Sequence, residues 1–523
     1  MYSLIIKNAK VVDGSGKNSS PELLDVAVEK DEIVNIGKNL SPKAHKVIDA
    51  EGKVLAPGFV DLQNHSDSYW QIFDNPSLDS LVSQGFTTIA IGQCGASLAP
   101  LVSSSAPLAM QKWHSLEGAN LNWQTFEEFL NVLSERKYGT NVASLVGYAT
   151  LRRGIVGDEI RALEKPELEA VKKILKESFQ AGAFGLSSGL SYAHEIIISQ
   201  LELFELAKLV SENKALFSVH LRSESSEAIE SVEEVLEIAR SSDLNLKISH
   251  LKIRGAANWK NHTHLLEVLE NAYHKGIRVH FDSYPYETIW QPLYSYLPKW
   301  AIEGGRNLML KHFSDPVQKN KILAYLNSSD VKWSDIVLAS TGNRLQFLGK
   351  TIGHVAKNLE ISSEAAVLHV LEHAGSEVLV FEKNLDESSV EDFMYHPLGF
   401  VGTDGGGFGI NQKGKLVHPR CFGTAPKFLK MVIESSKITL EEAVHKLSGG
   451  PAQKLGLVDR GFLRIGYKAD MVLFDPEKIS DKATYENPYQ YSEGIEHVLV
   501  NGVSVLSEGK LTGELGGRVL RKK

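Results

Sequence analysis

The sequence is poor in cysteine and carries no surplus of positive charge, and each shortage argues against a class of protein. Only two cysteines, Cys94 and Cys421, occur among 523 residues, whereas secreted proteins commonly rely on disulfides. This scarcity favours a reducing, cytoplasmic location. The formal net charge of −8 gives no electrostatic basis for binding nucleic acid or an anionic membrane surface. The expected partner is a small-molecule substrate, although the net charge does not identify it.

Long apolar runs are also missing from the sequence. The first apolar stretch ends at Lys7, which is too early for the core of a signal peptide. No later stretch is long enough to span a bilayer, so we expect no membrane segment. The hydrophobic fraction of 43% and the charged fraction of 23% are ordinary for a globular protein. The length predicts a large central domain with smaller attached units.

Both ends of the chain are rich in short strands. Residues 1–57 alternate apolar and polar side chains between Gly and Asp turn signals. Residues 458–523 do the same, and they contain the Asn501-Gly502 pair that is typical of a tight hairpin turn. We therefore predict that these two segments pair into one small β-sandwich, which the central region interrupts.

The central region, 58–457, alternates buried-type strands with amphipathic helices, which is typical of an α/β protein with a parallel sheet. The candidate strands are 57–64, 87–93, 141–147, 184–190, 216–221, 245–250, 278–283, 378–382 and 399–403. A TIM-like (β/α)8 barrel needs eight strands, and 378–382 is the one that fits the pattern least well. Residues 287–345 break the alternation and predict an inserted cap subdomain over the active-site face.

Side chains that can bind a metal or transfer a proton follow several of the predicted barrel strands. The strand ends carry Gln63 and His65, Cys94, His220, His250 and Lys252, Asp282 and Tyr284, and Asp404. Active sites of such barrels lie at the C-terminal ends of the strands. Two imidazoles and a thiolate suit Zn²⁺, and three protein ligands leave one position open for water.

A carboxylate beside such a zinc site completes the requirements for amide hydrolysis. Zinc lowers the pKa of a bound water to roughly 7 and can polarise a carbonyl group. The carboxylate can take the proton of the water and pass it to the leaving nitrogen. Because Asp404 follows the last predicted barrel strand, the sequence predicts that it is this acid/base.

As a set, the motifs of the chain resemble those of the N-acyl-D-amino-acid deacylases (D-aminoacylases) of the amidohydrolase superfamily. They are APGFVDLQNHSD, GFTTIAIGQCGASLAP, GLSSGLSY, HLRSE, ISHLK, DSYPY, GTDGG, HPRCFGT, GYKADMVLFDP and HVLVNGV, and they cover nearly the whole chain. The resemblance implies a zinc-dependent hydrolase that cleaves N-acyl-D-amino acids to a carboxylate and a free D-amino acid. The fourth strand lacks the lysine with which hydantoinase and dihydroorotase relatives usually bridge two metals.

The resemblance also implies roles for individual residues. Cys94, His220 and His250 match the family's zinc ligands. Asp404 matches its catalytic acid/base. Lys252, Tyr284 and Arg420 match the residues that bind the α-carboxylate of the substrate, and Tyr192 is also expected to contact the substrate. Two cations and a phenol can give charge-assisted hydrogen bonds to one anion. Cys421 has no chemical partner in the sequence and is interpreted as structural.

Three departures from the family pattern stand out. Gln63-x-His65 replaces the usual His-x-His pair, and because an amide is a poor zinc ligand, we expect one zinc per chain. Tyr148 stands where the family commonly has histidine, and the loop between Asp404 and His418 is longer. Three roles stay open for His65: weak or second-site metal contact, polarisation of the substrate carbonyl, or packing.

Two further functions stay open at this stage. The same scaffold could cleave a cyclic amide, a dipeptide or an N-acyl-L-amino acid. Alternatively, the loss of one histidine at Gln63 is what an inactive scaffold or binding protein would show. The sequence leaves the preferred side chain, the acyl group and the oligomeric state open.

Overall fold

The computed structural model describes residues 1–17, 22–41, 43–110, 119–157, 159–192, 194–302, 305–375, 377–412 and 414–523. The strands are β1 (Tyr2–Val11), β2 (Leu24–Glu29), β3 (Glu32–Gly37), β4 (Ala44–Asp49), β5 (Val54–Pro57), β6 (Phe59–Asp61), β7 (Phe86–Ile91), β8 (Asn141–Ser144), β9 (Val146–Gly147), β10 (Gly185–Gly189), β11 (Leu216–His220), β12 (Asn245–Ile248), β13 (Val279–Ser283), β14 (Thr288–Pro292), β15 (Val337–Ser340), β16 (Leu379–Lys383), β17 (Gly399–Val401), β18 (Met471–Phe474), β19 (Ile495–Val500), β20 (Val503–Ser507) and β21 (Lys510–Leu511).

The helices are α1 (Gln71–Asp74), α2 (Asp79–Val82), α3 (Phe126–Ser134), α4 (Tyr148–Val156), α5 (Lys165–Ala181), α6 (Gln200–Glu212), α7 (Ala228–Ser242), α8 (His262–His274), α9 (Lys299–Ile302), α10 (Gly305–Ser314), α11 (Pro316–Asn327), α12 (Ile352–Leu359), α13 (Ser363–Ala374), α14 (Glu387–Tyr395), α15 (Arg420–Ser435), α16 (Leu440–Leu447) and α17 (Gly449–Leu455). Within the described part of the chain, every helix is too short or too polar to cross a lipid bilayer.

The central strands form a parallel barrel. One sheet has the order β17-β13-β12-β11-β10-β9, and a second has the order β6-β7-β8. Only Leu145 separates β8 from β9, so the two continue one barrel strand, and β6 meets β17 through the parallel bridge between Asn64 and Gly405. The barrel therefore closes with eight strands, as predicted. Strands β7, β10 and β11 are buried along their whole length, and their sequences FTTIAI, GLSSG and LFSVH show no alternation of exposed and buried positions.

Local sequence signals explain where the helices around the barrel begin and end, and α5 shows this well. A capping box at Glu164 and Glu167 starts the helix, with Pro166 in its first turn. Gly182 ends it in the left-handed region, at a φ of 110°. Its buried side chains include Val171 and Leu175, which lie on one face because their spacing is four residues.

Strands from both ends of the chain share one nine-stranded sheet, in which β18 lies beside β5 and β5 beside β1. A buried polar cluster ties this sheet to the barrel. Asp470 pairs with Arg460 and accepts hydrogen bonds from Asn141 Nδ2 at 3.0 Å and from the backbone N–H of Asn501 at 2.6 Å. The pairing agrees with the expected association of the two ends, while the domain boundaries at residues 57 and 458 stay a prediction.

The inserted unit lies between barrel strands β13 and β17. Its sheet has the order β14-β16-β15, and its own apolar cluster extends from Leu293 to Val380. The expected end of the insertion at residue 345 is therefore too early, because α12, α13 and β16 belong to the same unit. The predicted strand 378–382 is β16, which lies in this sheet and outside the barrel.

Candidate active site

A cavity of about 210 Å³ opens at the C-terminal ends of the barrel strands, and residues of the inserted unit, including Trp290, form part of its wall. Cys94, His250 and Asp404 all line it. These three residues have positive φ angles of 53°, 37° and 46°, respectively. Positive φ is uncommon for residues other than glycine, and such positions cluster at functional sites.

Three of the predicted zinc ligands meet in this cavity. One donor atom from each of Cys94, His220 and His250 lies within 4.8 Å of the others, and all three residues are buried. Cys94 Sγ lies 3.4 Å from His250 Nε2. Zinc–sulfur and zinc–nitrogen bonds in tetrahedral geometry put such atoms roughly 3.5 Å apart. The donor set and its spacing thus fit zinc.

The electrostatic surroundings of Cys94 favour the thiolate, which is the form that binds metals. Burial alone raises the pKa of a thiol, but His250 and neighbouring hydrogen-bond partners bring the pKa of Cys94 well below its usual range. Cys421 is equally buried, and there burial raises the pKa to about 12. The surroundings of the two cysteines therefore shift their pKa values in opposite directions.

Gln63 contacts the sulfur of Cys94 rather than offering an oxygen to a metal. Its Nε2 donates to Cys94 Sγ at 3.1 Å, while its Oε1 accepts from Lys247 Nζ at 2.6 Å. Lys247 also forms an ion pair with Asp282 at 2.5 Å. Because an ammonium group can only donate, Lys247 fixes which end of the amide faces the sulfur.

Glu224 is a site residue that the sequence interpretation missed. Its Oε1 lies 3.1 Å from His250 Nδ1 and 2.7 Å from Lys252 Nζ. A carboxylate on the second ring nitrogen orients a histidine whose other nitrogen faces a metal. The signal was present in HLRSE, where Glu224 lies four residues after His220.

Asp404 lies between two basic side chains. Its Oδ1 is 3.1 Å from His65 Nε2, and its Oδ2 is 2.7 Å from Arg420 Nη2. Although burial alone would raise it, the pKa of Asp404 is held well below its usual range, chiefly by Arg420. The pKa of His65 shifts in the opposite direction. Burial lowers it, but the hydrogen bonds to Asp404 and Cys94 raise it to about 10.

The predicted carboxylate-binding residues lie together, but they differ in how free their donors are. Arg420 stacks on the ring of Tyr284 at 4.6 Å. Among the described residues, neither the Tyr284 hydroxyl nor the Nε and Nη1 atoms of Arg420 have a hydrogen-bond partner. Lys252 is different, because its Nζ contacts Glu224 Oε1 at 2.7 Å, His250 Nδ1 at 2.7 Å and the His250 carbonyl at 2.9 Å.

The remaining candidates fall into two groups. Tyr192 lines the cavity, with its ring 4.9 Å from that of His220. Tyr148, in contrast, is buried and donates its hydroxyl to Glu202, which also pairs with Arg152. Tyr148 therefore belongs to a structural ion-pair cluster.

Comparison with known proteins agrees with this geometry. A family model described as "Amidohydrolase family" matches residues 418–506. The N-acyl-D-aspartate deacylase of Alcaligenes xylosoxydans xylosoxydans is 33% identical over 99% of this chain and 94% of its own length. The chain belongs to the N-acyl-D-amino-acid deacylase family. The D-aminoacylase of the same organism is 30% identical, over 100% of this chain and 98% of its own length.

A solved structure extends the likeness to the fold. The crystal structure of N-acyl-D-glutamate deacylase from Bordetella bronchiseptica, in complex with zinc and a phosphonate inhibitor, has a TM-score of 0.83 and 28% identity. The likeness covers 99% of both chains. Membership of this deacylase family confirms the predicted barrel and shows that the chain is an amidohydrolase, which sets aside the inactive-scaffold alternative.

Proposed function

We propose that this deacylase-family enzyme uses one zinc ion, held by Cys94, His220 and His250, to hydrolyse the amide bond of N-acyl-D-amino acids. The observation that carries the proposal is the cluster of one thiol and two imidazoles within 4.8 Å, with Asp404 lining the same cavity. The names of the two curated relatives and of the zinc-containing structure support the substrate class.

The protein side of the metal site is already arranged for binding. Glu224 orients His250 through Nδ1, which leaves Nε2 facing Cys94. Gln63 stabilises the thiolate by donating to it. When bound, zinc supplies a Lewis acid that activates water at neutral pH and polarises the substrate carbonyl.

Asp404 moves the proton in this proposal. Its carboxylate accepts a proton from the attacking water and delivers it to the amide nitrogen, which leaves as the amine of the free amino acid. His65 and Arg420 each contact one oxygen of Asp404, at 3.1 and 2.7 Å, and so hold the carboxylate in one orientation. The contact with Asp404 favours a positioning role for His65 over a role as metal ligand.

The α-carboxylate of the substrate takes hydrogen bonds from Tyr284 and Arg420. The Tyr284 hydroxyl, Arg420 Nε and Arg420 Nη1 are buried donors that lack an acceptor within the described chain, and such groups are costly unless a ligand satisfies them. Lys252 contributes its positive charge from the position in which Glu224 holds it. Its N–H groups face the Glu224 carboxylate and the His250 carbonyl, but they cannot donate to His250 Nδ1 while that nitrogen itself donates to Glu224. A direct contact of Lys252 with the substrate therefore stays part of the proposal.

Paired enantiomers test the proposal directly. We expect the zinc-loaded enzyme to release free amino acid from N-acetyl-D-amino acids and to leave the L enantiomers largely intact, as measured by amine release. A panel that includes a cyclic amide and a dipeptide tests the alternative activities. Turnover of L substrates alone, or only of the cyclic amide or dipeptide, would contradict the substrate assignment while leaving the metal site in place.

A further inference from the structure

Arg254 places a positive charge in the wall of the substrate cavity, six residues beyond the end of β12. The backbone around it is fixed on both sides. Its N–H donates to the Glu224 carbonyl at 2.6 Å, and its carbonyl accepts from Asn258 Nδ2 at 2.9 Å. The guanidinium lies 5.9 Å from the centre of the Tyr296 ring. Arg254 is therefore held in place at the cavity by its surroundings.

The other charged groups of the cavity wall are closely paired, and Arg254 is not. Lys252 lies 2.7 Å from Glu224, and Asp404 lies 2.7 Å from Arg420. A further cation in the wall, Arg222, makes three hydrogen bonds of 2.9–3.3 Å to Glu234.

Arg254 has one longer contact instead, between its Nη2 and Glu382 Oε2 at 3.4 Å. The same Glu382 oxygen accepts the Tyr296 hydroxyl at 2.5 Å. Arg254 is thus the most weakly neutralised cation of the described cavity wall.

The buried donors without a hydrogen-bond partner at this cavity, or directly behind its wall as Arg420 is, fall into two groups. Tyr284 and Arg420 form the first, which the proposed function assigns to the α-carboxylate. The second is Arg254, whose Nε atom is buried without a hydrogen-bond partner among the described residues. The side chain of Arg254 keeps 23% of its surface exposed. A guanidinium edge of this kind matches the geometry of a carboxylate.

We propose that Arg254 binds a carboxylate on the side chain of the substrate, so that the enzyme prefers N-acyl derivatives of acidic D-amino acids. The inference rests on the proposed function, because it assigns the second anionic group of a substrate whose first carboxylate lies at Tyr284 and Arg420. Glu382, which contacts Nη2 at 3.4 Å, competes with the substrate carboxylate for the guanidinium.

Substrate pairs that differ only in charge test this assignment. N-Acetyl-D-glutamate is compared with N-acetyl-D-glutamine, and N-acetyl-D-aspartate with N-acetyl-D-asparagine, by kcat/KM. We expect the wild type to prefer at least one acid over its amide by about 10-fold or more, since the amide oxygen can still accept a hydrogen bond but lacks the charge that pairs with the guanidinium. The pair with the larger ratio identifies the side-chain length.

Three variants separate binding from a structural effect. We expect Arg254→Gln to lower kcat/KM for the acid by about 10- to 100-fold while changing the value for the amide by less than about 3-fold. Arg254→Lys should restore part of the preference, and Glu382→Gln should increase it because the competing anion is removed. Zinc content and the thermal midpoint serve as controls of folding.

The outcomes distinguish this inference from the proposed function. Equal kcat/KM for acids and amides in the wild type, or equal losses for both in Arg254→Gln, would overturn the role of Arg254. Turnover of neutral N-acetyl-D-amino acids without turnover of acidic ones would overturn it as well, with the proposed function intact. Failure of the zinc-loaded wild type on every N-acetyl-D-amino acid would instead contradict the proposed function.

Discussion

The side-chain amide of Gln63 donates a hydrogen bond of 3.1 Å to the sulfur of Cys94. The sulfur lone pair that accepts this hydrogen bond is then not available to bridge the first metal ion to a second one. The amide oxygen accepts from Lys247 at 2.6 Å, so turning it toward a metal would cost this buried hydrogen bond and would leave Lys247 with its contacts to Asp282 and the Leu62 carbonyl. We therefore expect one metal ion rather than two.

Replacing Gln63 with histidine should therefore open a second metal site. His65, Cys94 and Asp404 already form a second group of donor atoms within 4.8 Å, and an imidazole would complete it. We expect about one zinc per chain in the wild type and about two in Gln63→His, measured by elemental analysis after dialysis against excess zinc. Gln63→Leu is the matched control, because it removes the hydrogen bond without adding a ligand and should keep one zinc. Two zinc ions in the wild type would show that this interpretation is wrong.

The two cysteines provide a matched pair for testing the metal ligands. Both are buried, but the pKa of Cys94 is lowered and that of Cys421 is raised. We expect Cys94→Ser to lose most bound zinc and Cys421→Ser to keep it, because an alcohol replaces a thiolate only in the first case. Cobalt substitution gives an independent readout, with thiolate-to-cobalt absorption lost only in Cys94→Ser. Retention of zinc and of this absorption in Cys94→Ser would exclude Cys94 as a ligand.

Asp404→Asn isolates proton transfer from metal binding. The amide keeps the shape of the side chain but cannot accept the proton of the water. We expect kcat to fall by roughly 10²- to 10⁴-fold while zinc content stays at the wild-type level. Steady-state kinetics and elemental analysis on the same sample measure both quantities. A variant with near-normal kcat would remove Asp404 from its assigned role.

The link between the terminal sheet and the barrel makes a prediction about stability. Asp470 pairs with buried Arg460 and accepts from Asn141 and Asn501. Among the described residues, Asp470→Ala leaves buried Arg460 with only the longer ion pair to half-exposed Asp459, at 3.7 Å. We therefore expect a loss of about 3–5 kcal/mol in the free energy of unfolding, seen as an earlier denaturant midpoint. Glu32→Ala is the control, because Glu32 is 48% exposed and pairs with Lys468 at 2.9 Å, which should cost less than about 1 kcal/mol. Similar denaturant midpoints for Asp470→Ala and Glu32→Ala would contradict the claim that the Asp470 cluster stabilises the contact between the terminal sheet and the barrel.

Much of the fold was predictable because strands and helices leave repeating patterns in the sequence. The strand β7 is mostly apolar and is followed by Cys94, and β11 ends at His220, so the candidate metal ligands could be located at the ends of buried strands. The end of the inserted unit was misjudged because α12, α13 and β16 alternate much as barrel elements do. Only their packing into a separate apolar cluster distinguishes them.

The polar partners of the site were harder to predict, because a contact between distant loops leaves no periodic signal. Glu224 and Lys252 follow different strands, and only closure of the barrel brings them to 2.7 Å. A polar partner for Lys247 could have been predicted, because Lys247 lies inside the buried strand β12 and a buried lysine requires a partner. Its partners Asp282 and Gln63 could not be chosen from sequence alone.

Titration of the metal-free enzyme with zinc tests the central claim most directly. The hydrolysis of N-acetyl-D-amino acids is followed as zinc is added in steps to a known concentration of chain. One zinc on Cys94, His220 and His250 predicts activity that rises linearly and reaches its plateau near one equivalent. Full activity before any zinc is added, or a plateau reached only at two equivalents, would contradict the account.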